Sequence, residues 1–260
     1  MKIFVIIDGL GDLPVPQLNE RTPLEAARIP HLNWFAAHGK NGYVYAIHEG
    51  IAPESDGAVL ALLGYDAEKV YTGRGPLEAL GAGVDFDSGN LVLRTNFATV
   101  SGGRVVDRRA GRGLTTREAR VLEQAINSKV NLSVPFVYRS TVQHRGVLVF
   151  KGRFSPNESN VDPAYEKVGH IGVAHDGGDI ILLSKPLDKS AGARRAARII
   201  NEFMEKSMAV LFQHPLNKKR EEKGLLAANA LLIRDGGIRL PTLSRKKGWI
   251  AVLSMPLEIG

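Results

Sequence analysis

The chain has 260 residues, 44% of them hydrophobic, which is enough for one large domain or two modest ones. It contains no cysteine, which excludes disulfides, thiolate metal sites and cysteine nucleophiles and suits a cytoplasmic protein. A net charge of +7 favours an anionic partner, but aromatics are only 7% and do not interleave with Lys/Arg runs, which argues for a phosphorylated metabolite over nucleic acid.

The segment Lys2–Ile7, apolar from Ile3 on, ends in Asp8-Gly9, the pattern of a buried parallel strand with a carboxylate at its C-terminal edge. It is too short for a signal peptide, and no later segment reaches the ~20 apolar residues of a membrane span, so no membrane association is expected. A helix is predicted over Pro23–Ala37, with Thr22 as N-cap, Pro23 at its first position and an interruption at Pro30. Gly42–Ile47 reads as a second strand and Ser55–Leu63 as a helix closed by Gly64. This β-α-β-α order predicts a doubly wound α/β sheet.

After Gly73-Arg74-Gly75 the pattern changes. A hairpin is predicted from Leu91–Val100 and Val105–Val106, then a helix over Thr116–Ser128 capped by Thr115 or Thr116. Strands follow at Phe136–Tyr138 and Gly146–Phe150, and 151–179 reads as a long loop. Asp188–Phe212 is a long amphipathic helix, and Lys218-Lys219-Arg220 before Glu221-Glu222 reads as a solvated helix face. Ala230–Ile233 and Trp249–Leu253 close the chain as strands. The expected organisation is therefore an α+β module over 75–240 inserted into an α/β core formed by 1–74 and 241–260. Three strands are few for a doubly wound domain, so that core is expected to be incomplete.

Four features could carry chemistry. Asp8 is either a turn-forming strand-end carboxylate or a metal ligand facing the ligand crevice of an α/β sheet. Ser55 is either a helix N-cap or a nucleophile at the positive end of a helix, where a phosphate would be stabilised. Its neighbours Glu54 and Asp56 would repel a phosphate unless cations are also bound. Residues 104–120 hold six arginines and no lysine; Arg108, Arg109 and Arg112 flank a turn at Ala110-Gly111, and planar guanidinium grips carboxylate and phosphate bidentately. His144 is either structural or able to orient a phosphate or move a proton. His170, His175, Asp176 and Asp179 match no metal-ligand spacing.

Taken in order, IIDGLGD (6–12), TPLEAA (22–27), PESDGAVLALLGYD (53–66), YTGRGPLEALGAG (71–83), NFAT (96–99), DRRAGR (107–112), HR (144–145), VDP (161–163) and LLIRDGG (231–237) closely resemble one family. It is the archaeal-type 2,3-bisphosphoglycerate-independent (cofactor-independent) phosphoglycerate mutases of the alkaline phosphatase superfamily. The resemblance implies a phosphatase-like core interrupted by a substrate-gripping domain, and interconversion of 3- and 2-phosphoglycerate through a phosphoserine. It implies two divalent metal ions (Mn²⁺, Mg²⁺ or similar) and no 2,3-bisphosphoglycerate. It places Ser55 at the nucleophile position, Asp8 and Ser55 among the metal ligands, and Asp107, Arg108, Arg109, Arg112, His144 and Arg145 on the substrate. Two departures stand out. Glu54 occupies a position that is Gly in many members, and the family's later Asp/His metal motifs have no match here. The resemblance therefore implies an N-terminal portion of such an enzyme, able to hold the metal pair only poorly by itself. The alternatives are another metal-dependent phosphatase or phosphomutase of the superfamily, or a non-catalytic phosphoglycerate-binding fragment.

Overall fold

The computed structural model describes residues 3–245, and the chain divides into two compact units, Met1–Tyr45 and Ala46–Gly260. In the first unit, α1 (Pro23–Ala26) and α2 (Pro30–His38) are separate helices, as Pro30 demands. The Thr22 hydroxyl accepts from Glu25 N–H while the Glu25 carboxylate accepts from Thr22 N–H, a complete capping box. The strands expected at 2–7 and 42–47 do not form over the described residues. Ile3 to Ile7 are exposed, and none of residues 3–45 is buried. A parallel strand needs a neighbouring strand to take up its backbone hydrogen bonds and other elements to cover its faces, and the described residues of this unit supply neither. The strand expected at Trp249–Leu253 lies outside the described residues.

The second unit opens with α3 (Ser55–Leu62), α4 (Ala67–Val70) and α5 (Arg74–Gly81). A five-stranded antiparallel sheet follows, built from β1 (Leu91–Ser101), β2 (Arg104–Asp107), β3 (Phe136–Ser140), β4 (Arg145–Phe150) and, last in the chain, the strand Ala230–Gly237. β1 is central: it pairs β4 through Leu91–Asn96, the Ala230–Gly237 strand through Val92–Ala98, and β2 through Thr99–Ser101, across an irregularity at Thr99/Val100. α6 (Thr116–Lys129) starts at Thr115, which forms a second capping box with Glu118. The segment expected as loop contains a hairpin, β5 (Tyr165–Val168) and β6 (Ile171–Ala174), turned at Gly169, whose φ is 63°. α7 (Ala191–Phe212) and α8 (Pro215–Glu222) precede the last strand, β7 (Ala230–Gly237). The structure is thus a mixed α/β fold whose sheet, among the described residues, is antiparallel.

The period-2 alternation of β1 divides the core. Leu91, Leu93 and Phe97 pack with Leu148, Phe150, Leu122, Ile126 and Phe203 under α6 and α7. Val92 meets Val147, Val149 and Ala79 of α5 on the opposite face. α5 lies very close to the sheet: a Cβ on Gly75 would overlap the Val92 carbonyl, so only glycine permits this approach. A third cluster joins α3 and α4 to the β5–β6 hairpin through Leu60, Ala67, Tyr71, Ile171 and Val173.

Candidate active site: an arginine cavity tied to the Ser55 turn

Ser55 is the first residue of α3, and the N-cap position belongs to Glu54, which makes no side-chain cap bond. The turn before it is held by the hairpin: Glu54 N–H donates to Gly172 O (3.1 Å), Ala174 N–H donates to Ala52 O (3.2 Å), and Pro53 bridges Val173. Space at Gly172 is tight: a Cβ there would sit 2.9 Å from Asp235 Oδ1, so the Asp235 side chain would have to shift.

The carboxylates flanking Ser55 are buried and already partnered. Glu54 takes Arg74 Nη1 at 2.9 Å on one oxygen and Arg234 on the other. Asp56 accepts from the Tyr71 hydroxyl at 2.5 Å and lies 3.9 Å from Arg74. Burial pushes the Asp56 carboxyl up, with Arg74 opposing that shift. The acids read in the sequence as a sign of bound cations are thus already engaged within this chain, Glu54 by Arg74 and Arg234 and Asp56 by Tyr71.

A cavity of about 240 Å³ lies in this unit, lined by Arg94, Arg108, Arg109, Arg112, Arg145 and Arg234 with Asn96, Gln143, His144 and Tyr165, and by no carboxylate. Its size is below the ~300–1,000 Å³ of drug-sized pockets, which suits a small, highly charged anion. Three of the arginines are fixed by buried acids. Arg94 pairs with Glu78 of α5, and Arg234 with Glu54. Arg108 forks onto Asp162 with Nε at 3.1 Å and Nη2 at 2.6 Å. Arg234 and Arg108 also stack on the Tyr165 ring, at 3.7 and 4.7 Å from its centroid.

Arg109 and Arg112 are held differently. They flank a turn in which Ala110, Gly111 and Arg112 all have positive φ (47°, 68° and 54°). Left-handed backbone at two non-glycine residues costs energy and persists only where surroundings impose it. Here Asp107 imposes it: one carboxylate oxygen accepts from Arg109 N–H and Gly111 N–H, both at 2.7 Å. Asp107, expected on the substrate, does not line the cavity; it builds the turn that presents the arginines. Neither Arg109 nor Arg112 has an ion-pair partner among the described residues, and burial and the neighbouring Arg112 lower the Arg109 pKa.

His144 is 9% exposed and its Nδ1 has no hydrogen-bond partner. Burial, then the charges of Arg145, Arg109, Arg94 and Arg112, depress its pKa to about 4, so it is neutral at pH 7. Asp8 lies in the first unit, in an exposed turn with Gly9, whose φ is 69°. Asp179 pairs with Arg104 at 2.6 Å on the surface.

Among the described residues no three His, Asp or Glu side chains converge as a metal site would require. With Glu54 and Asp56 committed to arginine and tyrosine, the described residues do not by themselves complete a site for a divalent cation. The sequence also missed Arg94, Arg234 and Tyr165 as cavity residues. Two of them lie on strands otherwise read as core, and their signal was a charged residue at a buried strand position.

A family model for 2,3-bisphosphoglycerate-independent phosphoglycerate mutase matches residues 36–217. The enzyme of that name from Aeropyrum pernix is 45% identical over 246 residues, covering 91% of this chain and 57% of its own length. The corresponding "mutase 1" of Archaeoglobus fulgidus is 41% identical over 255 residues, covering 95% of this chain and 58% of its own. The solved cofactor-independent phosphoglycerate mutase of Thermoplasma acidophilum superposes with a TM-score of 0.55 at 37% identity, over 92% of this chain and 59% of that one. The chain therefore spans little more than half the length of these relatives. Since the matched segment contains the Ser55 turn and all the arginines of the cavity except Arg234, the chain belongs to the 2,3-bisphosphoglycerate-independent phosphoglycerate mutase family.

Proposed function

We propose that this chain binds phosphoglycerate in the arginine cavity and that Ser55 is the phosphoryl acceptor in the interconversion of 3- and 2-phosphoglycerate, an intramolecular phosphotransfer catalysed by an isomerase. The observation that carries this reading is the double engagement of Arg234: it lines the anion cavity and pairs with Glu54, the residue before Ser55. Arg109 and Arg112 are the ligands for the substrate's phosphate and carboxylate, because their charge is not matched by a carboxylate ion pair. Arg145 and neutral His144 complete the seat, His144 as a hydrogen-bonding partner for a substrate hydroxyl. A serine in the first turn of a helix lies where backbone N–H groups stabilise a phosphoryl group.

In this proposal 1–74 and 241–260 contribute to a phosphatase-like core and 75–240 forms the substrate domain. Asp8 and Ser55 are two ligands of a divalent metal pair, of the Mn²⁺ or Mg²⁺ type, whose other ligands are not among the described residues. The setting is cytoplasmic glycolysis or gluconeogenesis, with a small phosphorylated substrate and neither nucleic acid nor membrane as partner. No described helix is long and apolar enough to cross a membrane. A second reading, phosphoglycerate binding without turnover, is favoured by the commitment of Glu54 and Asp56 to arginine and tyrosine.

The test is incubation of the chain with 3-phosphoglycerate and Mn²⁺, followed by peptide mass spectrometry and assay for 2-phosphoglycerate. Phosphate on Ser55 and its loss in Ser55→Ala support the acceptor role. Binding with no phosphoserine and no isomerisation supports the second reading, and absence of binding overturns both.

A further inference from the structure

We infer that Glu54 is a positioning residue that ties the Ser55 turn to the floor of the arginine cavity. The inference rests on the proposal that the cavity takes a phosphorylated anion, and adds the means by which occupancy of the cavity is felt at the serine.

An acid at the start of a helix is ordinarily explained by capping or by the helix dipole. Glu54 caps nothing with its side chain. Its carboxylate, 3% exposed, turns inward and divides its two oxygens between Arg74 at the start of α5 and Arg234 in β7. Its backbone N–H is fixed separately by Gly172 of the hairpin. Arg74 continues the network to Glu78, with Nε at 3.8 Å, and Glu78 holds Arg94, a second arginine of the cavity floor. Glu54 is thus the link between the serine turn and two cavity arginines. An anion entering the cavity competes with Glu54 for Arg234, and any change in that pair is passed through one peptide unit to Ser55. Aspartate, one methylene shorter, cannot span both arginines while the backbone stays bonded to Gly172.

The absence of cysteine allows a direct test. Ser55→Cys introduces the sole thiol, whose alkylation rate reports on the turn. In that background, saturating inorganic phosphate is expected to change the alkylation rate by about 5-fold or more, a typical coupling between linked sites. Adding Glu54→Gln is expected to reduce that change to less than about 2-fold while phosphate still binds, at an affinity equal to or above that of the Ser55→Cys chain, because Arg234 then loses one of its buried acids and keeps Asp235 at 3.2 Å. Where Glu54→Gln fails to fold, Glu54→Asp serves, with the same expected loss. A merely structural glutamate would lower thermal stability and leave the phosphate effect on the thiol intact, and that result overturns the inference. So does phosphate binding that never alters the reactivity of the introduced thiol. Failure of phosphate to bind the Ser55→Cys chain is a different outcome, because it removes the proposed function itself and the inference with it.

Discussion

Five of the six arginines of one cavity are held in two opposite ways. Arg94, Arg108 and Arg234 rise from strands or a strand end and are each matched by a buried acid, Glu78, Asp162 and Glu54. Arg109 and Arg112 sit on a left-handed turn, shaped by the Asp107 carboxylate, and have no ion-pair partner among the described residues. A buried charge without a counter-charge is expensive, so the first group belongs to the stability of the fold. The second group keeps its electrostatic capacity for a ligand. The comparison teaches that the number of arginines around a cavity overstates its anion-binding capacity; what counts is how many lack an internal acid.

The largest expected effect is on the matched side. Glu78→Gln removes the acid from Arg94 and Arg74 in a fully buried position, and should lower unfolding free energy by ~3–5 kcal/mol in a urea titration. A loss under about 1 kcal/mol would mean the floor arginines are not stabilised by their acids. On the unmatched side, Arg109→Ala and Arg112→Ala should each weaken 3-phosphoglycerate binding by ~1.5–3 kcal/mol, roughly 10- to 100-fold in Kd. Their stability should stay within ~0.5 kcal/mol. Smaller still is Asp107→Ala, which removes the acceptor of one part-buried and one exposed backbone amide and should cost ~0.5–1.5 kcal/mol of stability together with some affinity. Asp107→Asn retains an acceptor oxygen and should be nearly neutral, so equal damage from both would contradict the turn-building role.

The smallest effect is a pH dependence. The folded-state pKa of His144 is about 4, below the ~6.5 of an unfolded histidine. Its contribution to stability is therefore fully present above pH ~6.5 and is lost as pH falls toward 4, because the unfolded chain takes up the proton first. His144→Gln should flatten the stability profile in that interval, measured by denaturant midpoints at several pH values. An unchanged profile would show that His144 is not held neutral by burial and the neighbouring arginines.

Much of the second unit was legible in the sequence, because its signals are local. The start of α6 at Thr115 or Thr116, the β1–β2 hairpin and the long amphipathic helix all follow from turn chemistry and periodicity. The strands expected at 2–7 and 42–47 were not formed, because an apolar run states only that a segment can be buried, and burial needs partners far away in sequence. Arg220 shows the converse. Within Lys218-Lys219-Arg220 it looked solvated, yet it is fully buried, donating to Leu226 O (3.0 Å), Gly113 O (3.2 Å) and Glu118 (2.8 Å). It thereby braces the turn that carries Arg109 and Arg112 through contacts more than 100 residues away. The clustering of Arg108, Arg109 and Arg112 around a turn was readable, but the partition between matched and unmatched guanidiniums was not. Asp162, Glu54 and Glu78 meet their arginines only through the tertiary fold. The β5–β6 hairpin was hidden by its short alternation and its Gly-His turn.

The central claim, that anion affinity resides in the two unmatched arginines, is tested most directly by calorimetric titration of 3-phosphoglycerate into this chain and into the Arg109→Ala/Arg112→Ala double variant, with a thermal melt of each. The expected result is saturable binding by the unsubstituted chain, a loss of at least ~100-fold in the double variant, and an unchanged melting temperature. Undiminished affinity in the double variant, or a collapse of its melting temperature, would contradict the account.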